Sequence, residues 1–125
     1  MVDQRTKQII CTAHGRGREH DFKLYKRSQT RLRTGIKLLG DRGYQGVQRL
    51  HANSTTPRKK PPRRVLPKAD RQANRALARE RVRGEHVIGS LKIFHILADR
   101  YRNRRKRFGL RVNLISGLYN FDRHL

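Results

Sequence analysis

The chain has 125 residues, of which 34% are apolar and 6% aromatic, enough for one compact domain and not comfortably for two. Against 9 Asp+Glu it carries 32 Lys+Arg, a formal net charge of +23 that repels itself in isolation and makes sense opposite a polyanion, nucleic acid being the commonest; a ribosomal-type or disordered basic protein shares that composition. The single Cys11 excludes an intrachain disulfide, no apolar run approaches the roughly 18 residues of a membrane span, and Met1-Val2-Asp3-Gln4-Arg5 lacks a signal-peptide core, so a cytoplasmic protein with no membrane partner is expected.

Gln8 to Ala13 is a short apolar, β-branched run that follows the turn-like Asp3-Gln4-Arg5-Thr6. It predicts a β-hairpin with Val2 on the first arm, broken by Gly15-Arg16-Gly17-Arg18. Asp21 can cap a helix that places Phe22, Tyr25 and Leu32 roughly on one side and ends at Gly35. Ile36 to Leu39 reads as a short buried strand, closed by Gly40-Asp41-Arg42-Gly43. Residues 53–68, rich in Pro and Arg and including Arg58-Lys59-Lys60, read as a loop open to movement. Asp70 then starts a long helix reaching about Leu97. A second basic run, Arg100 to Arg107, leads to a last amphipathic helix with Phe108, Val112, Leu114, Ile115, Leu118 and Tyr119 as its apolar set. The order describes an α/β chain with its helices grouped at the C-terminus.

At about 100° per residue, Leu77, Val87, Ile88, Leu91 and Phe94 of the long helix share one broad arc suited to face a sheet. Arg81, Glu85 and Lys92 fall within about 40° of one another at its margin, so Glu85 is expected at a lip flanked by two cations. Arg71, Arg75, Arg79 and Arg83 recur every fourth residue as a separate stripe.

Two carboxylates stand out by position. Asp41 directly follows a strand, where side chains reach clefts, and Glu85 sits at the helix margin. Hard divalent cations take oxygen ligands of this kind, and two-metal phosphoryl transfer gathers several from distant parts of a chain. On residue type alone the bland reading is the stronger: an Asp two residues before Gly forms turns, and a Glu with Arg at i−4 forms a helix ion pair worth a few tenths of a kcal/mol.

Gly40-Asp41-Arg42-Gly43-Tyr44-Gln45-Gly46 resembles the segment around the second catalytic Asp of DDE transposases of the insertion-sequence-five group, which are similar to Harbinger-type transposases. Arg81-Val82-Arg83-Gly84-Glu85-His86-Val87-Ile88-Gly89-Ser90-Leu91-Lys92 resembles that group's third catalytic motif, with an Arg four positions before the Glu and a Lys seven after it. The stretch from Tyr101 to Leu110 is similar to the group's C-terminal signature; a Tyr often found three positions before the motif Arg is Ala78 here. The resemblance implies a ribonuclease-H-like fold. It also implies Mg²⁺-dependent strand cleavage and strand transfer at insertion-sequence ends, with Mn²⁺ as a possible substitute and Asp41 and Glu85 as two of three metal ligands. Arg81, Lys92, Arg58, Lys59, Lys60, Arg104 and Arg105 become the DNA-binding set in a nucleoid-associated bacterial protein.

In that group the first catalytic Asp lies on the first strand of the fold, upstream of a segment like the opening one here. The expectation is a domain truncated at its N-terminus, with that strand missing and no activity alone. Asp3 falls near a hairpin turn and is not promoted to the role. The chain is then either the second of two overlapping frames, partnered by an upstream-frame segment, or the remnant of a dead element. The alternative is a non-catalytic basic nucleic-acid-binding relic. Cys11, His14 and His20 are close in sequence, but no second ligand pair has zinc-site spacing, and Cys11 reads better as a small core residue.

Overall fold

The computed structural model describes residues 1–15, 17–94 and 107–123. Its backbone divides into two units, Gly15–Arg81 and a second made of Met1–His14 with Val82–Leu125.

The Gly15–Arg81 unit begins with α1 (Asp21–Ser28). His20, in extended conformation, is its N-cap: the ring Nδ1 accepts the Phe22 N–H at 3.3 Å. Asp21, expected to cap, instead occupies the first turn, where a carboxylate favours the helix dipole. The helix stops well short of Gly35 because Gln29 adopts a left-handed conformation with φ 50°, and its N–H closes the last turn on the Lys26 carbonyl.

The strand expected over Ile36–Leu39 contracts to β1 (Leu38–Leu39), which pairs in parallel with β2 (Ser54–Thr55). Leu38 donates to Asn53 and Gly40 to Thr55, each at 2.9 Å. Two strands cannot enclose a face, so Ile36 stays largely exposed and β1 is only half-buried, not the buried strand its composition suggested. A parallel pair needs a crossover, and here two 3₁₀ turns, Arg42–Tyr44 and Val47–Arg49, supply it. Gly46, at φ 85°, opens the second turn with a conformation few other residues adopt, and Val47 behind it is fully buried. Buried His51 ties the crossover to β1's approach through a 2.5 Å hydrogen bond between its Nε2 and the Ile36 carbonyl.

The tract after β2 is tethered where sequence suggested freedom to move. The Asn74 amide accepts from the Arg58 N–H at 2.8 Å and donates to the Arg58 carbonyl at 3.0 Å, and Gln45 donates to the Pro57 carbonyl at 2.8 Å. α2 (Lys68–Leu91) follows Pro67, whose carbonyl accepts from Arg71 at 3.0 Å. Leu77 and Val87 are buried, as their shared arc predicts, but Ile88 and Phe94 stay about half exposed. The helix ends at Leu91 and not near Leu97; residues 92–94 form turns, and residues 95–97 lie outside the described residues. Arg71, Arg75, Arg79 and Arg83 are all exposed.

In the other unit the predicted hairpin is present, reduced to a single antiparallel bridge between Val2 and Ile9. The Asp3 carboxylate holds its turn, accepting from the N–H groups of Arg5 at 2.7 Å and Thr6 at 3.0 Å. These two bonds, that from Thr6 first, pull the Asp3 pKa below its ordinary 3.8. α3 (Phe108–Asp122) docks by its Asn120 amide, which exchanges two 2.8 Å hydrogen bonds with the backbone of Ile9 and so occupies the place of a neighbouring strand. The His14 ring packs edge-on to Phe108 and covers buried Gly109, where an added Cβ would collide with it. α3 is apolar on two sides and not amphipathic as expected. Ile115 is buried and Phe108, Val112 and Tyr119 are half-buried, while Leu114 and Leu118 join Leu110 and Phe121 on an exposed side.

Candidate active site

Asp41 is the best-defined of the candidate residues. It leaves β1 in extended conformation and caps the Arg42–Tyr44 turn, its Oδ1 accepting the Gly43 N–H at 2.8 Å. The turn can fold this tightly because of the glycines on either side. A Cβ on buried Gly40 would stand 2.9 Å from Tyr44 Cβ and 3.1 Å from Thr56 Cγ2. A Cβ on Gly43 would stand 3.1 Å from both Asp41 Oδ1 and His20 Cε1. The same distances place the His20 ring beside the turn that carries Asp41, so the residue that caps α1 also borders the carboxylate.

Tyr44 anchors the turn from behind, with its ring 5.6 Å from Phe22 and 6.0 Å from Tyr25 between centroids. Burial, then the negative charges of Asp21 and Asp41, raise its phenol pKa above the ordinary 10.0 and so favour the neutral phenol. Tyr44 and Asn74 are supporting residues that sequence reasoning did not single out, and His20, weighed there only beside Cys11 and His14, is a third. Tyr44 lay within the quoted motif, and its spacing of three from Asp41 suits a 3₁₀ turn. Nothing in the sequence marks Asn74.

Asp41, Arg42, Gly43, Pro57, Asn74, Ala78 and Arg81 line a shallow open cleft of about 390 Å³. The crossover thus supplies the carboxylate, and one face of α2 supplies Arg81, which is half-buried there. Arg81 is one of the two cations that the motif pairs with Glu85, so its meeting with Asp41 brings together residues 40 positions apart. Glu85 follows four residues later on α2 and is an exposed side chain, not the half-covered lip residue expected; Gly84 and Val87 take the buried positions of that turn. Lys92 is exposed in the turn after the helix. Arg58 is exposed but not free, since its Nε pairs with Asp70 at 3.4 Å; Lys59 and Lys60 are exposed on the tethered tract. Arg104 and Arg105 lie outside the described residues.

As a metal site on its own donors, the cleft falls short. Asp41 is its one carboxylate, two guanidinium groups share the lining, and the Asn74 amide is committed to the backbone of Arg58. Among the described residues no three His, Cys, Asp or Glu side chains come together as a metal would require. No helix among those residues is long and apolar enough to cross a membrane.

Comparison with known proteins identifies the lineage of this arrangement. The family described as DDE superfamily endonuclease matches residues 1–120. The probable transposase for insertion sequence element IS702 of Microchaete diplosiphon is 49% identical over 122 residues, which cover 98% of this chain and 44% of that protein. The chain therefore spans less than half the length of that relative, and no solved structure matches it. With Asp41 and Glu85 standing in the two segments that resemble DDE motifs, and with the match running from the opening hairpin into α3, the chain belongs to the DDE superfamily endonucleases.

Proposed function

We propose that this chain is the part of an insertion-sequence transposase that carries two catalytic carboxylates, Asp41 and Glu85, for DNA strand cleavage and strand transfer at element ends. The observation that carries the reading is the meeting of Asp41 with Arg81 in one cleft, since these residues come from the two separate segments that resemble the family's motifs. The insertion-sequence-five group and a ribonuclease-H-like fold belong to the same proposal.

Mg²⁺ or Mn²⁺ would enter with Asp41 and Glu85 as two ligands and a third carboxylate that the described residues do not add to the cleft. The chain's own residues then have defined tasks. The Gly43 N–H fixes one oxygen of Asp41, whose side chain is part of the cleft lining. Arg81 and Lys92 hold strand phosphates near the reacting centre, and Lys59 and Lys60, with Arg58, add backbone contacts that carry no sequence information.

The second reading is a basic nucleic-acid binder without chemistry, favoured by the cleft's single carboxylate among the described residues. A DNA-cleavage assay separates the two. The chain alone is expected to bind a labelled element-end duplex without nicking it in Mg²⁺. Supplied with the part of the IS702 relative that it does not match, it is expected to nick at the element end. No nicking by the completed protein would favour the binder, and nicking by the chain alone would overturn the assignment of an incomplete site.

A further inference from the structure

α2 has a third face, distinct from the buried one and from the one that borders the cleft. At about 100° per residue, Lys68, Arg71, Arg75 and Arg79 lie within an arc of about 80°, and all four are exposed. They extend about 17 Å along the axis at 1.5 Å per residue. The acidic residues of this stretch point elsewhere and have their own partners: Asp70 pairs with Arg58, and Glu80 pairs with Lys37 at 3.7 Å.

This arrangement works against the free helix. Like charges at i, i+3 and i, i+4 each cost it a few tenths of a kcal/mol. Lys68 and Arg71 also put positive charge into the first turn, where the helix dipole disfavours it. A row of cations with its neutralising carboxylates turned away is stabilised by an external polyanion with closely spaced charges. Duplex DNA presents one phosphate for about every 1.7 Å of its axis, so a 17 Å row meets ample phosphates along its length.

We propose that the Lys68, Arg71, Arg75 and Arg79 face of α2 is a docking track for the backbone of duplex DNA, separate from the Asp41 cleft. The track rests on the reading of DNA as this chain's partner and adds where a duplex is held without sequence readout.

Binding of a random-sequence 30-base-pair duplex across a salt series tests it. The comparison is between the wild-type chain, the variant Lys68→Gln, Arg71→Gln, Arg75→Gln, Arg79→Gln, and a charge-matched control with Lys23, Arg31, Arg33 and Arg49 changed to Gln. Gln matches Lys and Arg in helix propensity, so circular dichroism of the α2 variant is expected to match the wild type. The slope of log K against log salt is expected to become shallower by about 3.6 for the α2 variant, at about 0.9 for each phosphate no longer neutralised, and to change little for the control. Equal slopes for wild type and α2 variant overturn the track. An equal drop in variant and control also overturns it, since binding then follows total charge. A wild-type chain that does not bind the duplex overturns the DNA reading itself, and so the failures of the two claims are distinguishable.

Discussion

Asp41 and Glu85 are held in opposite ways. Asp41 belongs to a turn whose every neighbour constrains it: β1 pairs just before it, Gly43 donates to its carboxylate, Tyr44 wedges into an aromatic cluster, and His20 closes one side. Glu85 is an exposed side chain on a long helix, and the register of α2 decides which face carries it. The difference teaches that a carboxylate on a turn is positioned by its own hydrogen bonds, whereas one on a helix is positioned by what buries the opposite face. Substitutions around Asp41 therefore test the fold as well as the chemistry, while an isosteric change at exposed Glu85 bears chiefly on the chemistry.

The comparison can be broken at its strongest point with Gly40→Ala. The new methyl group meets Tyr44 Cβ at 2.9 Å and Thr56 Cγ2 at 3.1 Å, and a Cβ cannot swing aside without its backbone. A loss of about 1–3 kcal/mol is expected from overpacking, read as a lower urea midpoint with unchanged slope. An unaltered midpoint would mean that the Asp41 turn is looser than its contacts indicate.

A smaller effect sharpens the contrast between the carboxylates. Asp41→Ala removes the cap and is expected to cost about 1 kcal/mol, whereas Asp41→Asn retains an equivalent acceptor and is expected to cost little. Glu85→Gln keeps the side chain's shape and one acceptor oxygen at an exposed helical site, and is expected to stay within about 0.5 kcal/mol of wild type. If Glu85→Gln destabilised as much as Asp41→Ala, the two carboxylates would be held alike and the contrast would fail.

The smallest effect lies in the hairpin. Asp3 titrates below its ordinary 3.8 because the Thr6 and Arg5 N–H groups bond its charged form. A depressed folded-state pKa stabilises the fold above the unfolded value, and that contribution disappears as pH falls through the lowered one. Wild type is thus expected to lose slightly more stability than Asp3→Asn between about pH 4 and pH 2, measured by urea melts at each pH. A steeper acid loss in the variant would reverse the assignment.

Much of this was legible from local pattern. The hairpin pairing Val2 with Ile9, the Arg stripe of α2 and the position of Asp41 after a strand follow from spacing and turn chemistry that neighbours in sequence supply. The meeting of Asp41 with Arg81 was accessible only through resemblance, because no periodicity links residues so far apart. What stayed hidden depends on distant partners. Ser54–Thr55 lies at the head of a Pro- and Arg-rich tract and becomes a strand only because β1 offers it hydrogen bonds. Asn120 reads as an ordinary polar residue of a helix, yet it completes the backbone bonding of Ile9, 111 positions away. α3 resisted a one-face reading because its leucines recur on a side that the described residues leave exposed.

The most direct measurement of the central claim is end-specific strand cleavage in Mg²⁺ by the chain completed with the unmatched part of its IS702 relative, comparing wild type with Asp41→Asn and Glu85→Gln. Both variants are expected to bind the duplex as wild type does and to lose cleavage by more than the about 100-fold typical of removing a mere supporting partner of a metal ligand. Cleavage by either variant at the wild-type rate would contradict its assignment as a catalytic carboxylate.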